Sequence, residues 1–134
     1  MKIVKEYPPI YDDIIASGMR PCDKTFFTYG DTLYNPHDVN ILSDFIAHEE
    51  THSRQQGDNP DSWWNRYLDD PYFRIDQEAE AYARQYEFIC KTVKDREKRF
   101  RTLVNLGGVL ASPLYGSVVG REMARKLIKS KVKE

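Results

Sequence analysis

At 134 residues, 40% of them hydrophobic and 31% charged, the chain has material for one modest core and not two, so residues 1–134 read as a single domain. No apolar run approaches the roughly 20 residues of a membrane-spanning helix, which excludes an integral membrane protein. The formal net charge of −1 conceals a division. Residues 31–80 carry twelve Asp and Glu against three Arg, a net −9, whereas residues 81–134 carry thirteen Lys and Arg against five acids, a net +8.

The opening Met1-Lys2-Ile3-Val4-Lys5-Glu6 lacks the apolar stretch of a signal peptide and runs into Pro8 and Pro9, so a cytoplasmic location is expected. A short helix is predicted over Ile10–Ser17, stopped by Gly18. Phe26-Phe27-Thr28-Tyr29 and Thr32-Leu33-Tyr34 flank Gly30-Asp31 and predict a β-hairpin, the one firm β signal. From Val39 to Gln56 the apolar period becomes helical, with Asp38 as N-cap and Gly57 as terminator. Asn59-Pro60 opens a second helix carrying Trp63, Trp64, Tyr67 and Leu68, and Asp69-Asp70-Pro71 breaks it. The two tryptophans are expected to cap the core.

A third helix is predicted from Tyr72 to Thr92, with Ile75, Ala79, Tyr82, Tyr86 and Ile89 facing inward. Asp95 caps a fourth, with Phe100, Leu103, Val104 and Leu110 inward; Gly107-Gly108 weakens it and Pro113 prevents its continuation. A last helix from Val118 turns Met123, Ala124, Leu127 and Ile128 inward and frays into the basic tail Lys129–Glu134. The fold class is mainly α (α+β), with four to six helices and a short β-hairpin preceding the helix of Val39–Gln56. Cys22 and Cys90 form no C-x-x-C pair and read as isolated thiols. The basic stretches Lys94–Arg101 and Arg121–Lys133 lack interleaved aromatics, so they read as solvated helix faces and nucleic acid is not an expected partner.

Within the Val39–Gln56 helix stands His48-Glu49-Glu50-Thr51-His52, which holds two of the three histidines in the chain. At i and i+4 both imidazoles leave one side of a helix and can bind one ion, most often zinc. Glu49 lies about 100° round the helix, within reach of a metal-bound water without ligating the metal. With Ile41 at zero, Phe45, His48 and His52 fall within about 40° of it. The histidines thus continue the apolar stripe, and Glu50 points to solvent.

A catalytic zinc site needs a third protein ligand and one open position. No histidine follows His52, and His37 lies upstream of the helix. The third helix offers Glu78 and Glu80. Glu78 lies about 40° from Tyr82 on the core side, Glu80 about 160° away on the wet side. A carboxylate among core residues needs a partner, and the two histidines with zinc supply one. Glu78 is therefore the expected third ligand, against the alternative that it pairs with Arg74 at i−4 and the histidines are ordinary core residues.

His48-Glu49-x-x-His52, followed by Glu78-Ala79-Glu80-Ala81-Tyr82, resembles the gluzincin metallopeptidases, whose second motif is a glutamate with alanine three residues on and usually aspartate four on. Here Ala81 and Tyr82 take those places. The stretch from Tyr29 to Gln85, with Tyr34-Asn35-Pro36, Gln55-Gln56 and Trp63-Trp64, and Leu114-Tyr115-Gly116 near the end, is also similar to small single-domain proteins of tailed bacteriophages.

The resemblance implies a zincin-like fold and one Zn2+ per chain on His48, His52 and Glu78. It implies hydrolysis of a peptide or protein substrate by a zinc-activated water, with Glu49 as general base and Tyr82 or Tyr115 as a further oxyanion donor. The bland reading of both tyrosines is a place in the core. In such folds a strand edge, here Thr32-Leu33-Tyr34 or Phe26-Phe27-Thr28, holds the substrate backbone. The phage likeness implies the host cytoplasm or a virion as location, and phage structural proteins as partners. The alternative function is a non-catalytic, zinc-stabilised structural or virion-associated protein.

Overall fold

Prolines and short polar caps divide the chain. The computed structural model describes residues 1–133 and runs β1 (Lys2–Val4), α1 (Tyr11–Ala16), β2 (Phe27–Tyr29), β3 (Thr32–Tyr34), α2 (Ser43–Gln56), α3 (Pro60–Asp69), α4 (Pro71–Cys90), α5 (Arg96–Leu110), a 3-10 turn (Pro113–Tyr115) and α6 (Arg121–Ser130). The architecture is mainly helical with a small sheet, α+β as the sequence predicts, and the hairpin β2–β3 precedes the histidine helix α2.

The predicted caps Asn59 and Asp95 are made by their side chains, and Asp70, read from sequence as a helix breaker, makes a third. Asn59 accepts from Ser62 N, Asp70 from Tyr72 N and Phe73 N, and Asp95 from Lys98 N, each occupying amides that the first helical turn leaves without partners. Asp38 is not the cap of α2. Asn35 clamps residues 35–39 into a turn, its Oδ1 accepting from Val39 N and its Nδ2 donating to Val39 O. Asp38 is thereby held at φ 50°, and the helix begins at Ser43 with Leu42 as an uncapped N-cap.

The sheet has a strand that periodicity did not reveal. β1 pairs in parallel with β3, giving the order β1-β3-β2. At three residues, two of them exposed, it carries no alternation to read. β3 is therefore central and both its edges are occupied. β2 is an edge strand, but its Thr28 carbonyl accepts from Gln56 Nε2 (2.8 Å) and Trp64 Nε1 (3.0 Å), which closes that edge at its midpoint.

Two apolar clusters form the interior. One joins α1, β2 and α3 through Ile10, Ile14, Phe27, Trp63, Trp64 and Tyr67. The other joins α4, α5, the 3-10 turn and α6, with Ile75, Tyr82, Leu103, Leu110, Tyr115 and Ile128 among its members. Helix α2 packs against both β2 and α4. It is thus gripped from two sides, and Thr51 is buried beside the histidines, whereas Phe45, expected on the apolar stripe, is 39% exposed at the helix start.

Further along, Phe100, Val104 and Met123 face solvent, not the core. The register of α5 is set instead by Gly107, where a Cβ would stand 3.0 Å from the Arg125 backbone. The glycine that weakens the helix locally lets α6 approach it. That approach turns Leu103, Leu106 and Leu110 inward, and Phe100 is left under the Arg125 guanidinium, 5.5 Å from its ring centre. Helix α6 starts at Arg121, three residues after Val118, because Ser117 at φ 52° and Gly120 carry the chain round the corner. The basic tail does not fray at its start. Lys131 Nζ pairs with Asp76 (2.7 Å), Arg84 donates to the Lys131 carbonyl, and Lys133 N donates to Glu87 (2.7 Å). Among the described residues, no helix is long and apolar enough to cross a membrane.

Candidate metal centre

The residues that phase arguments select from two helices meet at the seam between the clusters. α2 brings His48 and His52, one turn apart, and α4 brings Glu78; all three are buried. His48 Nε2 and His52 Nε2 lie 3.1 Å apart, and Glu78 Oε1 lies 3.0 Å from the first and 3.1 Å from the second. A tetrahedral zinc with ligands near 2.05 Å would hold them about 3.3 Å apart. The triad is within a few tenths of an ångström of one face of that tetrahedron. These three residues lie close enough to hold a metal ion.

Electrostatics favours a cation at this point. Burial pushes the Glu78 carboxyl up, but the facing imidazoles of His52 and His48 outweigh it and hold it well below the usual carboxylate range. Burial pushes His52 down, and the charge and hydrogen bond of Glu78 carry it up to about 9. Glu78 thus favours a positive charge at His52, and the triad as a whole favours a cation between its members.

Arg74 is not the partner of Glu78. Its Nε, Nη1 and Nη2 donate to the carbonyls of Tyr67, Tyr115 and Leu68, tying α3 and the 3-10 turn to α4. Glu78 Oε2 instead accepts from the Tyr67 hydroxyl. Burial and the Glu78 charge push that phenol well above its ordinary value, so it remains a donor. His37, the remaining histidine, is exposed beside Tyr7 and takes no part.

Glu49 is buried next to the triad, its Oε2 3.6 Å from His48 Nε2 and its Oε1 accepting from Thr28 Oγ1 at 3.0 Å. Burial raises its carboxyl, countered in part by the two histidines. Glu50 is exposed, and Glu80 is half-buried with Oε1 accepting from Gln55 Nε2. The Tyr82 ring stands edge-on to His48, centroids 4.4 Å apart, and its hydroxyl is 2.7 Å from that of Tyr115. Trp63 lies 5.4 Å from His52, ring to ring, so the tryptophans wall the site while filling the core.

A cavity of about 80 Å³ adjoins the triad; His48, Glu49, His52 and Glu78 form its floor. Trp63, Tyr67 and Tyr115 line it as well, together with Met19, Pro21 and Thr25 from the α1–β2 loop. Tyr115 reaches this cavity and Tyr82 does not.

Several residues of the site escape sequence reading. Gln85 Oε1 sits 3.0 Å from His48 Nδ1 and Gln55 Oε1 2.8 Å from His52 Nδ1. Gln85 follows Glu78 by seven residues, two helical turns, so phase places it on the same face. Gln55 follows His52 by three. Tyr67 could have been suspected from its place on the Trp63 stripe, whereas nothing in spacing points from Thr28 to Glu49.

No family model, curated protein or solved structure matches the chain. What is assigned to the site therefore rests on its geometry.

Proposed function

We propose that the chain is a small zinc hydrolase that cleaves peptide bonds, with Glu49 as general base. The observation that carries this reading is a triad of two imidazoles and one carboxylate whose remaining side opens into a cavity beside a fourth, non-ligating carboxylate. A His2Glu donor set with one free position is the arrangement of catalytic zinc, whereas structural sites close with four protein ligands. Bound zinc would supply Lewis-acid activation of a water and of the scissile carbonyl.

The chain's own residues supply the proton path. Glu49 takes the proton of the attacking water and returns it to the leaving amine, and its raised carboxyl suits an acceptor working near neutral pH. Thr28 fixes Oε1, leaving Oε2 turned toward the triad. Tyr115, at the cavity wall, is the better placed of the two tyrosines to donate to the oxyanion. The likeness of the motif residues to gluzincins supports the same chemistry.

A cavity of about 80 Å³ does not take a polypeptide. Of the lining segments, the α1–β2 loop that contributes Met19, Pro21 and Thr25 is the one free to give a substrate more room. Hydrogen bonds of residues 19–25 among the described residues stay within the loop or reach only Ser17, and Gly18 at φ 95° stands at its root. Replacing Glu49 by Gln tests the reading: zinc content is expected to persist while cleavage of a peptide library disappears. Cleavage unchanged in that variant sinks the mechanism.

The burial of the triad favours a second reading, a zinc that only clamps α2 to α4, as in a structural or virion-associated protein. Stoichiometric zinc in a wild-type protein inert toward every peptide would select it.

A further inference from the structure

Each histidine of the triad is held from behind by an amide, and each amide is held by a carboxylate. Gln85 Nε2 donates to Asp44 Oδ2 at 2.9 Å. Gln55 Nε2 donates to Glu80 Oε1 at 2.8 Å and to the Gln77 carbonyl at 2.9 Å. A carboxylate and a backbone carbonyl only accept, so the NH2 end of each glutamine must face them. The oxygen end then faces the imidazole, and Nδ1 must be the donor. The outer partners thereby keep a proton on Nδ1 of both rings, so that any second proton sits on Nε2 and its loss to a metal leaves the Nε2 lone pair toward the triad.

We infer that Gln55 and Gln85 are positioning residues that lock His52 and His48 as Nε2 ligands, through two parallel relays, His48–Gln85–Asp44 and His52–Gln55–Glu80. The inference deepens the metal reading and rests on it, but does not require cleavage. The relays come from different elements, since Asp44 and Gln55 lie on α2 and Gln85 and Glu80 on α4. Each therefore also crosses the α2–α4 seam that the metal spans, and tightening one side orders the other. Glutamine in this role differs from a carboxylate placed directly against Nδ1. It orients the ring without drawing off its proton, so both ligands stay neutral imidazoles and the charge of the loaded site is set by Glu78.

The test is zinc affinity measured by chelator competition, with folding followed by circular dichroism. Gln85→Met and Gln55→Met keep side-chain length and remove the acceptor; each is expected to weaken zinc binding 10- to 100-fold. The double change Gln85→Glu with Asp44→Asn restores an acceptor at Nδ1 and a donor-capable partner behind it, and is expected to bind zinc more tightly than Gln85→Met. Wild-type affinity in both methionine variants overturns the inference while leaving the metal site standing. Should a variant fail to fold, long-range proton–nitrogen NMR of the zinc-loaded wild-type protein decides. Protons on Nδ1 of both histidines are expected, and zinc on Nδ1 of either ring overturns the inference. A wild-type chain that binds no zinc overturns the proposed function itself, whatever its catalytic record.

Discussion

The Tyr67 hydroxyl donates a 2.5 Å hydrogen bond to Glu78 Oε2, the carboxylate oxygen that does not face the histidines. Oε1 alone meets both imidazoles, so the tyrosine divides the carboxylate and presents it as a one-oxygen ligand. Tyr67→Phe should leave the ring packing intact and free Oε2. The loss of a buried hydrogen bond to a charged group predicts destabilisation of the metal-free protein by about 1.5–3 kcal/mol. Zinc affinity should fall about tenfold as Glu78 loses its orientation. Denaturant unfolding and chelator competition check the two halves separately.

The metal-free triad predicts a pH dependence of opposite sign on its two flanks. His52, raised to about 9, favours the folded state fully below its unfolded value near 6.5 and loses that contribution as pH rises through about 9. Glu78, held low, contributes above its unfolded value near 4.3 and loses it as pH falls. Stability of the metal-free protein should therefore be greatest between about pH 5 and 6.5 on account of these groups, and decline on either side. Zinc must displace the His52 proton. Calorimetry in buffers of differing ionisation heat should show proton release on zinc binding at pH 7, with the His52 share of it fading as pH rises through about 9.

Thr28→Val removes the hydroxyl that holds Glu49 Oε1 without changing side-chain shape. The account predicts unchanged zinc content and a fall in kcat of about tenfold, about 1.4 kcal/mol of transition-state stabilisation. Kinetics on any cleaved peptide, beside metal analysis, measures both.

Gly107→Ala sets helix propensity against packing. In an exposed helix the change would stabilise by about 1 kcal/mol. Here the new Cβ meets Arg125 N and Cα at 3.0 Å, backbone atoms that cannot rotate away. Overpacking of about 1–3 kcal/mol should outweigh propensity, and thermal unfolding should show a lower Tm.

The choice of Glu78 over Glu80 was legible in the sequence because it needed only helix phase, and α4 is long enough at 20 residues for its phase to be unambiguous. The same argument misplaced Phe45, Phe100 and Met123, for a physical reason. A helix packed on two sides, or one brought close at a glycine, does not bury the face its strongest apolar residues mark. β1 was illegible because a three-residue strand has no period. The relays were illegible as a set, since Gln55 and Gln85 gain their meaning only when α2 and α4 lie side by side. Tyr82 packs against His48 by its ring while Gln85 takes the hydrogen bond.

The central claim is that His48, His52 and Glu78 bind one metal ion and leave a position open. X-ray absorption at the zinc edge of the saturated protein tests it most directly. The account predicts one zinc per chain, four light-atom neighbours near 2.0–2.1 Å and the outer-shell scattering of two imidazoles. It also predicts loss of that signal in His52→Ala. No bound zinc, a sulfur neighbour from Cys22 or Cys90, or a signature of three or more imidazoles would contradict it.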